Sequence, residues 1–457
     1  MSELMLANWA DCKLGDIASI IRGVTFPASS KVYEPADGYV ACLRTSHVQE
    51  KLLWESIYYI PENYVKRADQ LVGKNDILMS MANSSNLVGK VCINETDRTA
   101  CFGAFLSAIR SKEIDHRYVY YYLKSSEAQR ALKASASQTV NIANISVGAL
   151  ENLRVPLPPL AEQTRIAAKL DELLAQVDTL KARIDGIPAL LKRFRQSVLA
   201  AAVSGGLTEE WRAENSNPGW SEIKLEDLLA GAKHGICRGP FGSSIKKEYF
   251  VPEGYKVYEQ KNAIRDNSLI GEYFVDEKKY KELERFSVRS GDFIVSCAGT
   301  LGRISLLPSN APAGLINQAL IRIRTNKKLV LDEYFLLLFK SPSFQEKLVV
   351  GARGGAMQNL ASTKEIKALE INCPTIVEQA EIVRRVEQLF AFADQLEARI
   401  KTGQARIDHL TRSILAKAFR GELVPQDPND ESASLLLERI KAQRTATPKA
   451  KRGRRSA

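Results

Sequence analysis

The sequence predicts an α+β protein with two mixed α/β modules in a pseudo-two-fold repeat, separated by a coiled coil of long helices. Three observations lead to this fold class. The second half of the 457-residue chain repeats the first, each half contains one long segment with a heptad pattern of apolar residues, and each such segment follows a region of short apolar runs divided by Gly, Asn and Ser. Two repeats are too few for a solenoid, which needs at least three stacked units.

The repeat is clearest in the two heptad segments, which we call the arms. Glu162-Gln163 reappears as Glu378-Gln379, and the apolar positions that follow keep the same offset in residue number. They are spaced four and three residues apart, as in a coiled-coil seam. The seam residues are Ile166, Leu170, Leu173, Val177, Leu180 and Ile184 in the first arm, and Ile382, Val386, Leu389, Ala393, Leu396 and Ile400 in the second. We expect the arms to pair, because each seam needs an apolar partner.

The modules that precede the arms are predicted to be mixed. Apolar runs such as 77–80 and 105–109 are typical of short strands, whereas 118–133 has the apolar spacing of a helix. Similar features recur in the second half, but here the offset drifts along the chain, as loop insertions would produce. The predicted domains are a first module over 1–155, a first arm over 156–208, a second module over 209–373, a second arm over 374–424 and a basic, largely disordered tail over 425–457.

Glycine and proline divide the arms further. Three prolines, Pro156, Pro158 and Pro159, are predicted to open the helix of the first arm, because Pro is tolerated in the first turn of a helix. We expect a break in the first arm at 185–188 and a break in the second arm at 401–403. In the tail the sequence predicts one short helix over 433–441 and disorder elsewhere.

The positive charge is concentrated at the C-terminal end. Residues 439–457 contain eight basic residues and no acidic ones, so the rest of the chain carries only +3 of the formal net charge of +11. The body of the protein is therefore only mildly basic. If it binds nucleic acid, it must use local patches rather than a broadly positive surface.

The composition disfavours several classes of protein. No apolar run reaches the roughly 18–20 residues that span a bilayer, and the N-terminus lacks the pattern of a secretory signal. The seven cysteines are dispersed without a CxxC pair, and the four histidines are scattered, so neither a disulfide framework nor a zinc site is indicated. We expect a cytoplasmic protein that binds no metal.

No recognisable catalytic motif is present in the sequence. It contains no GxxxxGK[ST] phosphate loop and no GxGxxG after a strand. The nearest match to an adenine-methyltransferase site, Asn217-Pro218-Gly219-Trp220, lacks the second proline. A metal-nuclease site built from Glu259-x-Lys261 with Asp227 or Glu248 stays open as an alternative, although acid-x-Lys pairs are common in charged chains.

Polar loops at equivalent places in the two halves supply the candidate binding residues. Asn, Gln and Arg can make bidentate contacts to base edges, and Lys and Arg suit phosphates, although the same residue types also form ordinary turns. The predicted base contacts are Asn83, Asn86, Gln138, Asn141, Arg353, Gln358 and Asn359. The predicted phosphate contacts are Arg44, Lys90, Lys246, Lys261 and Arg303. Arg22-Gly23 and Arg238-Gly239 are further candidates in short turns.

Four segments of the arms are specific enough to indicate a family. Residues 157–163, 191–196, 379–389 and 413–423 strongly resemble the arms of specificity subunits of type I restriction–modification enzymes. The predicted architecture and the length agree over nearly the whole chain. The resemblance is specific in the arms and weak in the modules, which vary greatly within the family, so it supplies no contact residues.

The resemblance implies a DNA adaptor that is not an enzyme by itself. Each module would be a target-recognition domain that reads one half of an asymmetric bipartite sequence in double-stranded DNA. The arms would form an antiparallel coiled coil and dock two methyltransferase subunits, which the motor and nuclease restriction subunits would join. S-adenosylmethionine, ATP and Mg would be bound by these partners, with no cofactor on this chain. The repeat itself predicts two half-sites on one DNA face, ~10 bp apart.

Two other hypotheses stay open at the level of sequence. A self-contained modification or cleavage enzyme would rest on the Glu259-x-Lys261 pair alone, and a coiled-coil scaffold without DNA recognition would need only the arms. The basic tail is expected to add non-specific DNA affinity. Truncation after Leu437 should then weaken binding evenly across sequences and leave the recognised motif unchanged.

Overall fold

The computed structural model describes residues 8–84, 87–138, 142–231, 235–350 and 359–446. The chain divides into two compact units: the first comprises 1–184 and 402–457, and the second comprises 185–401. Each unit therefore contains one module, part of the first arm and part of the second arm.

The first module is built from short strands and helices. Its elements in chain order are β1 (Ala10–Lys13), α1 (Leu14–Ile17), β2 (Ala18–Arg22), β3 (Tyr39–Leu43), β4 (Tyr58–Pro61), β5 (Ile77–Ser80), β6 (Ala82–Asn83), β7 (Val91–Ile93), β8 (Cys101–Phe102), β9 (Leu106–Ser111), α2 (His116–Lys124), α3 (Ser126–Ala134), β10 (Ser137–Gln138), β11 (Ala143–Asn144), α4 (Val147–Glu151) and β12 (Arg154–Leu157). The first long helix, α5 (Leu160–Ser204), follows.

The second module repeats this mixed composition. Its elements are α6 (Glu209–Glu214), β13 (Ser221–Lys224), β14 (Ile236–Arg238), β15 (Tyr255–Tyr258), α7 (Gln260–Ile264), β16 (Phe274–Val275), α8 (Glu277–Glu282), β17 (Ser287–Val288), β18 (Phe293–Ser296), β19 (Ile304–Leu306), β20 (Gly314–Ile316), β21 (Leu320–Ile323), α9 (Asp332–Lys340), α10 (Pro342–Leu348), β22 (Val349–Val350), β23 (Asn359–Leu360), α11 (Thr363–Lys367) and β24 (Glu370–Cys373). The second long helix, α12 (Ile376–Phe419), and a tail helix, α13 (Ala433–Ala446), complete the described chain.

The two modules share one topology. The order β2-β9-β5-β7 in an antiparallel sheet of the first module recurs as β14-β21-β18-β19 in the second. A second sheet contains a parallel pair in both cases, β3 with β8 and β15 with β20. The first and last strands of each module also pair, β1 with β12 and β13 with β24. The sequence repeat is thus a repeat of fold.

An ion pair with a buried carboxylate occupies the same place in both antiparallel sheets. Asp76, just before β5, receives hydrogen bonds from the Arg110 guanidinium of β9, with Nε at 2.7 Å. Asp292, just before β18, receives two from Arg324, at 2.6 and 2.7 Å. Both carboxylates are buried, so each guanidinium replaces the hydration that the carboxylate loses.

Each arm contains one uninterrupted helix, and the predicted breaks are wrong. Pro188 lies inside α5, and α12 continues through 401–403. Gly and Pro disfavour a helix interior by about 1 and 3 kcal/mol. Buried side chains on both sides, such as Leu170 in the first unit and Val198 in the second, stabilise the helix by more than local propensity opposes it.

The two long helices run antiparallel, as predicted. In the second unit Arg195 of α5 bonds to Asp394 of α12 at 2.6 Å. The later residue Leu207 accepts a hydrogen bond from the earlier residue Arg385, at 2.9 Å. Moving forward along one helix therefore means moving backward along the other.

The largest core of each unit joins the module to both long helices. In the first unit Tyr118 of α2 is fully buried, and its ring lies edge-on to Phe419 of α12 with centroids 5.4 Å apart. In the second unit Tyr334 of α9 is fully buried in a core that includes Val386 of α12 and Val198 of α5. Module and arms of one unit therefore share one core.

The tail is folded as far as the structure describes it. Its helix extends beyond the predicted 433–441 to Ala446. Leu436 and Ile440 are buried in the core of the first unit. The predicted helix over 433–441 is therefore present, and the disorder predicted around it does not apply to the described residues up to 446, because an apolar helix face lies beneath the basic residues.

Candidate nucleic-acid interface

Two of the predicted base contacts lie in one small sheet of the first module. The strands follow the order β10-β11-β6, and Ala143 of β11 lies opposite Gln138 on one side and Asn83 on the other. The side-chain oxygen of Asn83 accepts a hydrogen bond from the backbone N–H of Ser84 at 2.8 Å. The sheet therefore places Asn83 and Gln138 in one row, and Asn83 also stabilises its own turn.

Most other predicted base contacts fall where the structure gives no description. Asn86, Asn141, Arg353 and Gln358 lie outside the described residues. Asn359 begins β23, where it lies opposite Val350. The DNA contacts of all these residues stay predictions.

The two predicted phosphate contacts of the first unit are exposed cations with neutral partners. Arg44 follows β3 and donates from Nη2 to the backbone oxygen of Ser56 at 3.3 Å. Its guanidinium lies 5.7 Å from the centre of the Tyr58 ring. Lys90 precedes β7 and donates to the side chain of Gln49 at 2.6 Å. These partners hold the two cations at the surface without neutralising their charge.

In the second unit two of the three predicted cations are paired with acids. Lys246 lies 3.6 Å from Glu248, and Lys261 lies 2.7 Å from Glu259. The carboxylates reduce the positive charge that a phosphate would meet at these sites. Arg303 is exposed just before β19, and no ion pair is recorded for it among the described residues.

The pairing of Glu259 with Lys261 also bears on the metal-nuclease alternative. The lysine ammonium lies beside the carboxylate that would have to bind the metal. Within the described ranges, no group of three or more His, Cys, Asp or Glu is arranged to hold a metal ion. The structure therefore gives this alternative no support.

A cleft in the first module is not predicted by the sequence patterns. Its volume is about 370 Å³, and its walls include Phe26, Lys31, Arg44, Tyr58 and Phe105. The Lys31 ammonium lies 5.0 Å from the Tyr58 ring centre, and Phe105 is 67% exposed. The sequence does contain a pattern that could have located this cleft, because Arg-Gly is followed by Phe and then by Ser-Ser in both halves. The two Arg-Gly candidates of the sequence analysis are the first residues of this pattern.

This cleft adjoins the small polar sheet. The backbone oxygen of Phe105 accepts a hydrogen bond from Met81 at 2.8 Å, and the backbone oxygen of Met81 accepts one from Ile145 at 2.8 Å. Met81 connects β5 to β6, and Ile145 directly follows β11. Backbone hydrogen bonds through Met81 therefore link the lining of the cleft to the sheet that contains Asn83.

Both arms begin with a buried carboxylate that binds the tryptophan at the start of the module. Glu162 accepts a hydrogen bond from Trp9 Nε1 at 3.1 Å. Glu378 accepts one from Trp220 Nε1 at 2.8 Å. The neighbouring Gln163 and Gln379 each donate to a proline carbonyl just before the helix. The Glu-Gln pairs of the sequence repeat thus attach each arm to its module.

The pKa values of the two carboxylates are shifted in opposite directions. Burial raises the pKa of Glu162 above its ordinary value. Burial also opposes the charge of Glu378, but hydrogen bonds from Trp220, Thr208 at 2.7 Å and Arg212 at 3.0 Å outweigh it, so the pKa of Glu378 is lowered. The two halves therefore have the same carboxylate at the start of the arm, but different hydrogen-bond donors around it.

The predicted seam is buried over most of its length. In the first arm Ile166, Leu170 and Val177 are buried, Leu173 and Ile184 are partly buried, and Leu180 is 47% exposed. In the second arm Ile382, Val386 and Ala393 are buried, and Leu389, Leu396 and Ile400 are partly buried. Leu180 therefore lies on the surface of the arm rather than in its seam.

In the part of the chain that the structure describes, no helix is both long and apolar enough to cross a membrane.

A family model described as the type I restriction modification DNA specificity domain matches residues 7–189 and again 219–403. The two matches coincide with the two halves of the repeat.

Similar proteins align over almost the whole chain. The specificity subunit of the type I restriction enzyme EcoKI from Escherichia coli K12 is 35% identical, with 96% of each chain covered. The StySPI specificity subunit from Salmonella potsdam is 34% identical, with 98% of each chain covered.

Solved structures show the same fold at lower identity. A chain from a study of complex assembly and conformational transition of the type I R-M system superimposes with a TM-score of 0.65 at 18% identity, covering 92% of this chain and 99% of that one. The HsdS subunit from Thermoanaerobacter tengcongensis superimposes with a TM-score of 0.56 at 17% identity, covering 93% and 100%. Because the family model covers most of the chain in two copies, and both of these specificity subunits align along nearly its full length, this protein belongs to the family of DNA specificity subunits, the non-catalytic subunits of type I restriction–modification enzymes.

Proposed function

We propose that this chain reads an asymmetric bipartite DNA target, with one half-site per module, and docks methyltransferase and restriction subunits through its arms. The observation that carries the proposal is one topology repeated in two units whose surface side chains differ. Directly after the strand of the parallel pair, the first unit has Arg44 and the second has Glu259. Two modules with the same backbone framework but opposite charges at the equivalent position suit two different half-sites.

Apolar side chains on the surface of the long helices support docking through the arms. The first unit exposes Leu180 and Leu410, and the second exposes Leu190 and Phe392, which are 53% and 56% exposed. Single exposed leucines are ordinary, but exposed apolar side chains that recur on the arm segments of both units favour one docking surface per unit. Two methyltransferase subunits would then bind one chain.

The chemistry would belong to the partners. S-adenosylmethionine would bind to the methyltransferase subunits, and ATP and Mg would serve the restriction subunits. This chain would contribute sequence recognition and the docking surfaces for these partners.

Exchange of one module tests the proposal. Residues 1–155 would be replaced by the corresponding module of the EcoKI relative, and methylated adenines would be mapped in cells that also make the partner subunits. We expect one half of the methylated motif to change and the other half to persist. The matched control replaces 209–373, which should change the other half only. A change of both halves, or of neither, in either exchange would refute one half-site per module.

Docking has its own test in the second unit. Phe392→Glu and Leu190→Glu place a charge where an apolar contact is proposed, and we expect the stoichiometry of the purified complex to fall from two methyltransferase subunits per chain to one. Leu435→Glu on α13 is the control, because Leu435 is also exposed but lies outside the arms. Two bound subunits in the arm variants would contradict docking at this surface.

A further inference from the structure

We infer that Arg44 is a base-reading residue that selects a guanine in the half-site of the first unit, and that the second unit has no guanine reader at the corresponding place. The inference rests on the proposed function and deepens it. It assigns one specificity-determining side chain to a definite position, directly after the strand that pairs in parallel with its neighbour. The sequence predicts that Arg44 contacts a phosphate, whereas this inference assigns it a contact to a base.

The backbone framework at this position is the same in the two units. Leu43, the last residue of β3, lies opposite Phe102, and Tyr258, the last residue of β15, lies opposite Ile316. The next residue is Arg44 in the first unit and Glu259 in the second. The parallel pairing therefore makes these two positions equivalent.

The turn that follows is also closed in the same way. The backbone N–H of Arg44 donates to Nδ1 of His47 at 2.9 Å, and the backbone N–H of Glu259 donates to the side-chain oxygen of Asn262 at 2.8 Å. Both acceptors are buried side chains three residues further along. The turn thus holds the backbone of Arg44 and Glu259 in fixed positions, which a base-reading residue needs.

A neighbouring turn in each unit is packed so tightly that only glycine fits. A Cβ atom on Gly23 would lie 2.3 Å from the backbone oxygen of Gly103, and a Cβ atom on Gly239 would lie 1.9 Å from that of Asn317. Gly103 and Asn317 directly follow β8 and β20, the strands that pair in parallel with β3 and β15. The two Arg-Gly candidates of the sequence therefore belong to the framework beside the reading position.

The surroundings of Arg44 suit a DNA strand. Among the described residues, the lining of the adjacent cleft contains the two cations Lys31 and Arg44 and no acidic side chain. It also contains the exposed ring of Phe105. Positive charge complements phosphates, and an exposed phenylalanine ring can contact a thymine methyl group in the major groove. The cleft is therefore a place where DNA approaches Arg44.

Arg44 itself has the chemistry for a guanine. Its hydrogen bond to Ser56 uses one of the five N–H donors of a guanidinium. The remaining donors can form the bidentate contact to O6 and N7 of guanine, which is the commonest specific contact of an arginine in the major groove.

The second unit has the opposite charge at the corresponding place. Glu259 is an acceptor without donors, and its carboxylate lies 2.7 Å from the Lys261 ammonium. A carboxylate cannot donate to O6 and N7 of guanine. The guanine preference that Arg44 provides is therefore confined to one half of an asymmetric target.

The experiment uses the complete methyltransferase complex and a library of DNA targets. The initial rate of methylation is measured for every base at each position of the two half-sites. We expect Arg44→Ala to reduce the preference for one guanine on the order of 10- to 100-fold in the first half-site and to leave the second half-site unchanged. Glu259→Ala should leave every position of the first half-site as it is in the wild type.

Arg44→Lys separates base reading from phosphate binding at the same position. Lysine keeps the positive charge but lacks the planar fork that makes two parallel hydrogen bonds. We expect this variant to bind DNA with nearly wild-type salt dependence and to lose most of the guanine preference. Retention of the full preference by the lysine variant would show that Arg44 acts through its charge and would overturn the inference.

Two lysine variants provide the comparison for a phosphate contact. Lys31→Ala should weaken binding for all sequences and reduce the salt dependence by about one phosphate contact, without changing the motif. Lys74→Ala is the matched control, since Lys74 is exposed, pairs with Asp97 at 3.3 Å and is not part of the cleft. Its binding and motif should equal those of the wild type.

The outcomes distinguish the inference from the proposed function. If the wild-type complex shows no bipartite motif, the proposed function fails. If the wild type has a bipartite motif and the Arg44→Ala variant, folded by circular dichroism, retains it at every position, the inference alone is overturned. A relaxed position in the half-site of the second unit would overturn it as well.

Discussion

The substitution Glu378→Gln is expected to destabilise the second unit by about 3 kcal/mol. Oε1 of Glu378 accepts hydrogen bonds from Trp220, Thr208 and Arg212, and Oε2 accepts one from Asn217 at 2.9 Å. A glutamine can still accept at one oxygen, but it loses the charge that pairs with the guanidinium. Its NH₂ group would also face a donor. Hydrogen bonds to charged groups contribute about 1.5–3 kcal/mol each, so losing one in full and weakening the others gives about 3 kcal/mol.

The equivalent substitution in the first unit provides the control. Glu162 accepts one hydrogen bond, from Trp9, and its buried Oε1 has no partner among the described residues. Burial raises the pKa of Glu162, which means that it disfavours the charged form. Glutamine can keep the bond to Trp9 and removes the need to bury a charge, so we expect Glu162→Gln to change stability by less than about 1 kcal/mol.

The assay must resolve the two units, because a chain of this kind does not have to unfold in one step. Urea denaturation followed by hydrogen-exchange mass spectrometry of the segments 8–13 and 205–224 reports local stability around each carboxylate. We expect a large loss of protection at 205–224 in Glu378→Gln and little change at 8–13 in Glu162→Gln. Equal losses, or a larger loss for Glu162→Gln, would refute the assignment of stability to the donors.

Four further predictions follow from the structure. The lowered pKa of Glu378 means that its contribution is present above its ordinary value of 4.5 and is lost as the pH falls through the lowered value, so the difference between wild type and Glu378→Gln should shrink in urea titrations below pH 4.5. The raised pKa of Glu162 has the opposite sign: wild type should gain stability over Glu162→Gln as the pH falls towards 4.5, and a loss would contradict this. Leu436→Ala should cost about 2–5 kcal/mol because Leu436 is buried, against about 0.5 kcal/mol or less for the exposed Leu435→Ala; equal shifts in thermal unfolding would show that α13 is not packed. Truncation after residue 446 removes five basic residues and should lower the salt dependence of DNA binding without altering the methylated motif; an altered motif would show that the tail reads sequence.

The arms can be located from sequence because their pattern depends on residue types alone. A constant offset between the two halves and heptad spacing identify paired helices without knowledge of the tertiary structure. The breaks predicted at 185–188 and 401–403 are wrong because propensity weighs only neighbouring residues. The packing that holds a 45-residue helix together involves residues from the other half of the chain.

The candidate site is only partly predictable for a similar reason. Arg44 follows an apolar run, so it is recognisable as a loop cation. Phe26, Tyr58 and Phe105 are far apart in sequence, and the sheet that contains the parallel pair β3 and β8 brings them to one cleft. Pairing of distant strands has no local signature, which is why sequence patterns miss the aromatic part of the surface.

The division of the chain into units has a consequence for biosynthesis. The second unit is a continuous segment, 185–401, whereas the first requires 402–457 in addition to 1–184. During translation the first module therefore leaves the ribosome long before the helix that completes its core, and the side chains of Tyr118 and Leu170 must wait for Phe419 and its neighbours. The first module is synthesised first, but the core of its unit is completed last. Large chains with several domains commonly fold through intermediates with exposed apolar surface, and slowing the synthesis of the segment 402–457 is expected to lengthen the period in which such surface can aggregate.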